Sequence, residues 1–357
     1  MPRPLQVRIN LSALQNNLAV ARRHAPNSRI MAVIKANGYG HGLLRAARGL
    51  SGADGFAVIE LNDAVALRDA GWQQKILLLN GYYGVEELPV IAEHRLAAVI
   101  HNQQQIEMLA SVSSERKFEV FVKFNTGMNR LGFRPETANA VLAQLKNSGQ
   151  VGGITLMTHF AFADVKEGIA EQLERFNGFA VNAKLPRSLA NSAALLRYPE
   201  SHADWARPGI MLYGSSPYGD VGAKELGLQP VMTLASRIIA TQEIQAGERV
   251  GYTGVFTAEK RMKIGIVACG YADGFPRHAR TGTPVNVNGT ITRTLGRISM
   301  DMLCVDVSEV PGATVGTPVT LWGEGNAVED VARAAGTVSY ELFTKLNSRV
   351  PVIETNG

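Results

Sequence analysis

The chain has 357 residues, 46% of them hydrophobic and 19% charged, with a formal net charge of +5. That length suits two domains better than one, and that composition leaves no case for disorder. Basic and acidic residues are interspersed without long runs, no apolar stretch is long enough to cross a bilayer and no signal-peptide core opens the chain, so a cytoplasmic protein with no nucleic-acid or membrane partner is the expectation.

From about residue 11 to 225, short apolar runs alternate with stretches of helical period. The runs are RIMAVIK (29–35), GFAVIE (55–60), KILLLN (75–80), AAVIH (97–101), FEVFVKF (118–124), GGITLMTH (152–159), RSLAN (187–191) and GIMLYG (209–214). They show no polar alternation, which is the pattern of strands buried on both faces of a parallel sheet. Between them, LNDAVALRDAGW places Leu61, Ala64, Val65, Leu67 and Ala70 at helical spacing, with Gly71 as a stop. Eight strand–helix units predict a closed (β/α)8 TIM-type barrel over residues 11–225; an open doubly wound sheet is the runner-up, but KANGYGHG replaces its glycine fingerprint. From residue 226 to 357 the segments become short, β-branched and broken by Gly, Pro and Asn, with Asn288-Gly289 as a hairpin turn. A mostly β C-terminal domain follows, to which residues 1–10 could add a strand. Cys269 and Cys304 are too few for a disulfide framework, and no metal-type spacing accompanies them.

In a barrel the functional side chains gather where the strands end. The proposed strands end on or near Lys35, Asn80, His101, Lys123, His159, Asn191 and Tyr213. No serine triad and no metal set emerges from these residues. A lysine amine, partly desolvated beside other cations, has a depressed pKa and can form a Schiff base. Two classes remain open on that basis, a carbonyl-substrate aldolase and an enzyme carrying pyridoxal phosphate on the lysine.

AVIKANGYGHG (32–42), KFNTGMNRLGF (123–133), THFAFAD (158–164), ANSAALLR (190–197), ARPGIMLYG (206–214), GYADGFPR (270–277), GRISMDM (296–302) and SYELFTKLNSRVP (339–351) resemble, in order, the motifs of the alanine racemases. The resemblance spans nearly the whole chain. It implies a pyridoxal 5'-phosphate barrel followed by a β domain, working on a small amino-acid substrate as a head-to-tail homodimer with shared active sites. Lys35 would be the Schiff-base lysine. Tyr39, Ser192, Tyr340 and the backbone of Gly209 and Ile210 would hold the cofactor phosphate, and Arg207 would face the pyridine nitrogen.

By the same resemblance His159 would lie beside the ring, and Tyr271, from the partner subunit, would be the second catalytic base. Racemisation removes a proton from one face of Cα and returns it on the other, so it calls for two such groups. Arg130 would contact cofactor and substrate carboxylate, and Lys123 matches a lysine that relatives carry as a carbamate. Met300 would contact the substrate, and Arg297 and Asp301 would line the access channel. Asn125 stands where other relatives have aspartate. The implied reaction is interconversion of L- and D-alanine, supplying D-alanine for peptidoglycan or degrading it. A racemase of broader specificity, for serine or basic amino acids, is the nearest alternative, and a non-catalytic pyridoxal-phosphate-binding protein is a more distant one.

Overall fold

The computed structural model describes residues 3–356 of the chain. Its first strand, β1 (Gln6–Asn10), belongs to the C-terminal sheet. The next eight strands close into a parallel barrel: β2 (Arg29–Val33), β3 (Gly55–Val58), β4 (Lys75–Leu78), β5 (Ala97–Ile100), β6 (Phe118–Lys123), β7 (Val151–Met157), β8 (Arg187–Ser188) and β9 (Trp205–Ala206). Closure comes from pairing Arg29 with Trp205 and Ile30 with Ala206. Every residue of β3 and β5 is buried, because helices cover the outside and side chains fill the inside. One covering helix, Leu61–Asp69, stops at Ala70, and Gly71 follows with φ +88°.

The last barrel strand is not the one expected. GIMLYG does not pair; Ile210–Tyr213 form a 3-10 helix whose four residues are all buried. An apolar run bounded by glycines suits a buried helical turn as well as a strand. The barrel is closed instead by the two residues just before Arg207-Pro208. The consequence is functional: Arg207, rather than Tyr213, stands at the open end of the eighth strand.

The rest of the chain builds a mostly antiparallel sheet, in which only β1 and β18 pair in parallel, and a small hairpin. Its strands are β10 (Met232–Ile244), β11 (Arg249–Val250), β12 (Phe256–Thr257), β13 (Met262–Val267), β14 (Pro284–Val287), β15 (Thr290–Leu295), β16 (Leu303–Asp306), β17 (Pro318–Trp322) and β18 (Val352–Thr355). The long β10 pairs with β17 and β1 through its first half and with β13 through its second, so the sheet closes on itself. Asn288 and Gly289 form the β14–β15 turn. β1 lies between β10 and β18, which ties both ends of the chain into this sheet. Helix Ser339–Thr344 packs its Phe343 carbonyl against Gly40 at the barrel mouth, so closely that a Cβ at Gly40 would lie within 2.1 Å of it. Among the described residues no helix is long and apolar enough to cross a membrane.

Candidate active site

The segment after β2 has an unusual backbone. Ala36, Asn37, Gly38, Tyr39 and Gly40 have φ of 53°, 54°, 60°, 51° and 78° in succession, one turn of left-handed helix immediately beyond Lys35. Each non-glycine residue held there costs roughly 1–2 kcal/mol, so the turn persists only because its surroundings enforce it. Gly38 N–H donates to Ile34 O at 2.9 Å and Gly40 N–H to Ala36 O at 3.0 Å. The turn brings the buried Tyr39 ring back over the mouth, where it stacks on Tyr213 at 4.6 Å between centroids. Its hydroxyl lies over Gly209; a Cβ there would sit 2.5 Å from Tyr39 Oη. Gly209 N–H in turn donates to Ser192 Oγ at 2.8 Å. Tyr39, Ser192, Gly209 and Ile210 therefore line one corner of a single cavity of about 1480 Å3, whose rim carries Tyr340.

The cavity is also cationic. Lys35, Lys123, Arg130, His159 and Arg207 all line the same cavity. Arg207 is fully enclosed: it donates to Ser188 Oγ and to Thr158 O, both at 2.7 Å, and to Leu189 O at 3.3 Å. Among the described residues none of Lys35, Lys123, Arg130 or Arg207 forms an ion pair with a carboxylate. Their charges act on one another instead. Burial, then Arg130, lowers the Lys35 amine, and burial with Arg207, Arg130 and Lys35 pulls Lys123 down to about 8. Burial and the same four cations hold His159 well below its ordinary value, so its imidazole is neutral. Burial brings Arg207 down to about 10, still protonated at neutral pH.

Not every polar strand end joins these cations. Asn80 and Asn191 line the cavity, but Asn191 serves mainly as the cap of helix Ser192–Arg197, accepting from Ala194 N–H at 3.0 Å. His101 stays outside it, held to Asn80 O at 3.2 Å. Asn125 does not touch Arg130; its side chain accepts from the N–H groups of Gly127 and Asn129 and so shapes the loop that leads to Arg130. Tyr271, Arg297, Met300 and Asp301 do not line this chain's cavity. Tyr271 and Met300 are exposed on the β domain, joined by Tyr271 N–H to Ser299 O and Ala272 N–H to Met300 O, both at 3.0 Å. Sequence reasoning missed Ser188 and Thr158, which hold Arg207, because neither carries a pattern of its own. It also missed Asp273, two residues beyond Tyr271, whose buried carboxylate takes both terminal nitrogens of Arg3 and the Nε of Arg349.

The model of the alanine racemase N-terminal domain matches residues 9–217, and that of the C-terminal domain matches residues 231–354. The chain belongs to the alanine racemase family. By that membership it is an enzyme, an isomerase. Among the family, the alanine racemase of Nitrosospira multiformis is 56% identical over 98% of this chain and 99% of its own. That of Cupriavidus metallidurans is 50% identical over 98% and 97%. Among solved structures, the biosynthetic alanine racemase of Pseudomonas aeruginosa superposes with a TM-score of 0.96 at 45% identity, covering 99% of both chains. The Acinetobacter baumannii alanine racemase gives 0.94 at 40% identity over 99% and 100%.

Proposed function

We propose that this chain interconverts L- and D-alanine with pyridoxal 5'-phosphate as cofactor, by a two-base mechanism in a head-to-tail homodimer. The observation that carries the reading is the cavity itself: it is lined by Lys35, Lys123, Arg130 and Arg207, none of them paired with a carboxylate among the described residues and two of them, Lys123 and Arg207, buried, and by a corner where the Tyr39 hydroxyl sits close against Gly209. Two anionic groups, a phosphate and a substrate carboxylate, fit such a surface better than a neutral ligand would. The volume is also several times what alanine alone would fill.

The residues present suit that cofactor. Tyr39, Ser192, Gly209, Ile210 and Tyr340 would hold its phosphate, and Lys35 would hold its aldehyde carbon. When bound, the cofactor supplies the electron withdrawal that makes the substrate Cα–H acidic. Arg207, which keeps its proton, would face the ring nitrogen and, having no proton to give up, would leave it unprotonated, so that the ring would withdraw electrons only moderately. His159 would lie beside the ring as a neutral imidazole. Arg130 receives the substrate carboxylate, and a carbamate on Lys123 would turn a neighbouring cation into its anionic partner.

Lys35 Nζ takes or returns a proton on one face of Cα, its pKa lowered by burial and by Arg130. The other face belongs to Tyr271 Oη of a second copy of the chain, with that copy's Met300 at the substrate and Arg297 and Asp301 in the access channel. The exposed position of Tyr271 and Met300, on one hydrogen-bonded platform away from their own chain's cavity, supports that division. A cytoplasmic enzyme supplying D-alanine for peptidoglycan is the role this reading favours; the Pseudomonas aeruginosa relative is a biosynthetic alanine racemase. Purified protein should take up pyridoxal phosphate, show its absorbance band, and erase the circular dichroism of added L-alanine. Tyr271→Phe should keep the band and lose turnover in at least one direction. Undiminished turnover both ways in Tyr271→Phe would remove the two-base assignment, and an unchanged alanine signal with the wild type would remove the reading itself.

A further inference from the structure

His41 closes the motif that begins with Lys35, and nothing above gives it a task. It is fully buried. Its Nδ1 faces two carbonyl oxygens, Gly38 O at 3.1 Å and Tyr39 O at 2.9 Å. Carbonyls only accept, so Nδ1 must carry the proton. Nε2 has no partner at all, which makes the ring the neutral Nδ1–H form; burial lowers its pKa to about 4, in keeping with that. A buried polar ring that leaves one nitrogen unsatisfied must be needed for what the other does.

What Nδ1–H does is hold the C-terminal end of the left-handed turn. The two carbonyls it bridges belong to consecutive residues with φ of 60° and 51°, one of them the bulky Tyr39, for which that conformation is a true outlier. The ring is itself wedged between Tyr213, at 4.6 Å, and the edge of Phe343, at 5.0 Å. Tyr213 is the ring on which Tyr39 stacks, and Phe343 shares a helix with Tyr340. His41 thus touches every element that presents a hydroxyl to the Gly209 corner except Ser192, while lying outside the cavity itself.

We propose that His41 is a positioning residue: its Nδ1–H locks the left-handed turn so that Tyr39 is preset for the cofactor's phosphate. The proposal rests on the reading that the cavity takes pyridoxal phosphate, and it assigns His41 to the phosphate end alone, with no part in proton transfer at Cα. Removing the donor should let the turn relax and swing Tyr39 off Gly209. The loss should fall on ligands that carry the phosphate and spare those that do not.

Two variants separate the hydrogen bond from the packing. His41→Phe keeps a ring between Tyr213 and Phe343 and removes the donor. His41→Asn loses the ring but offers an amide N–H at the position of Nδ1. Full-length protein stripped of cofactor is titrated with pyridoxal phosphate and, separately, with pyridoxal, followed by absorbance and by quenching of tryptophan fluorescence; thermal midpoints are recorded alongside. His41→Phe should bind pyridoxal phosphate about tenfold more weakly than wild type and pyridoxal within about twofold of it. His41→Asn should recover most of the phosphate-ligand affinity despite a lower thermal midpoint. Equal weakening for both ligands, an undiminished affinity of His41→Phe, or a His41→Asn no better than His41→Phe would each overturn the proposal. A wild type that takes up neither ligand would instead bring down the reading of the cavity on which it stands.

Discussion

The carboxylate of Asp273 is the most heavily committed anion described in the fold, and replacing it tests how the β domain presents Tyr271. It is wholly buried and accepts four hydrogen bonds: from Arg3 Nη1 at 2.6 Å, Arg3 Nη2 at 2.7 Å, Arg349 Nε at 2.7 Å and Gly270 N–H at 2.8 Å. Arg349 also pairs with Asp301 at 2.6 Å, and Arg3 donates to Asp301 O at 2.7 Å. Both ends of the chain thereby grip the turn that carries Tyr271 and the loop that carries Met300. Asp273→Asn keeps the shape and removes the charge. Breaking a buried ion pair costs roughly 3–5 kcal/mol, and both arginines here keep access to water, so a loss of about 3 kcal/mol at pH 7 is expected.

The dependence on pH follows from the sign of the shift. Burial pushes the Asp273 carboxyl up, but the hydrogen bonds from Arg3 and Gly270 and the two guanidinium charges outweigh it, leaving the pKa below the usual range. Such a group stabilises the fold above its unfolded pKa of about 3.9 and loses that contribution as pH falls through the folded value. Urea unfolding at fixed protein concentration, read through the buried Trp322 that stacks on Phe275, measures this directly. The gap between wild type and Asp273→Asn should be full at pH 7 and shrink below about pH 4. The effects of Arg3→Ala and Arg349→Ala should not add, because the second loss strands the carboxylate. A gap under about 0.5 kcal/mol at pH 7, or one that widens in acid, would refute the argument.

Two further outcomes test the cavity walls. Gly209→Ala forces Tyr39 Oη off a Cβ that would sit 2.5 Å away. Uptake of pyridoxal phosphate should weaken about tenfold and the overpacking should cost roughly 1–3 kcal/mol of stability, as spectroscopic titration and urea unfolding would show. Lys123, pulled down to about 8 by burial and three neighbouring cations, binds its proton less readily folded than unfolded. In buffer free of carbon dioxide, stability should therefore rise between about pH 8 and 10 by about 3 kcal/mol more in wild type than in Lys123→Met. Absence of that difference in paired urea titrations would show that the Lys123 ammonium is solvated in the native state.

How far the sequence discloses this molecule depends on the range of the contacts involved. Six barrel strands announce themselves because burial on both faces demands runs of apolar residues, and β3 and β5 are buried throughout; β8, only Arg187–Ser188, is found because RSLAN overlaps it. β9 escapes because two paired residues between Asp204 and Arg207 make no run, while the 3-10 turn at Ile210–Tyr213 makes one without pairing. Lys35, Lys123 and His159 are legible as polar ends of apolar runs. Arg130 and Tyr340 lie in loops or on a distant helix, and only their motifs single them out. The grip of Arg3 on Asp273 joins residues 270 positions apart, so no local pattern records it. The left-handed turn is half visible: glycines at 38, 40 and 42 promise a turn, but not that Ala36, Asn37 and Tyr39 share its backbone conformation.

That turn and the cationic wall follow one logic. Both are unfavourable in the isolated fold: the turn because non-glycine residues resist left-handed backbone, the wall because buried like charges repel. Folding free energy spent in this way is available to whatever relieves it. An anion placed among Lys35, Arg130 and Arg207 would gain the attraction those groups cannot obtain from one another. The relief acts on the native state alone, so binding should stabilise the fold in proportion to the logarithm of ligand concentration over its dissociation constant. A neutral ligand of the same shape gains the contacts but not the charge relief.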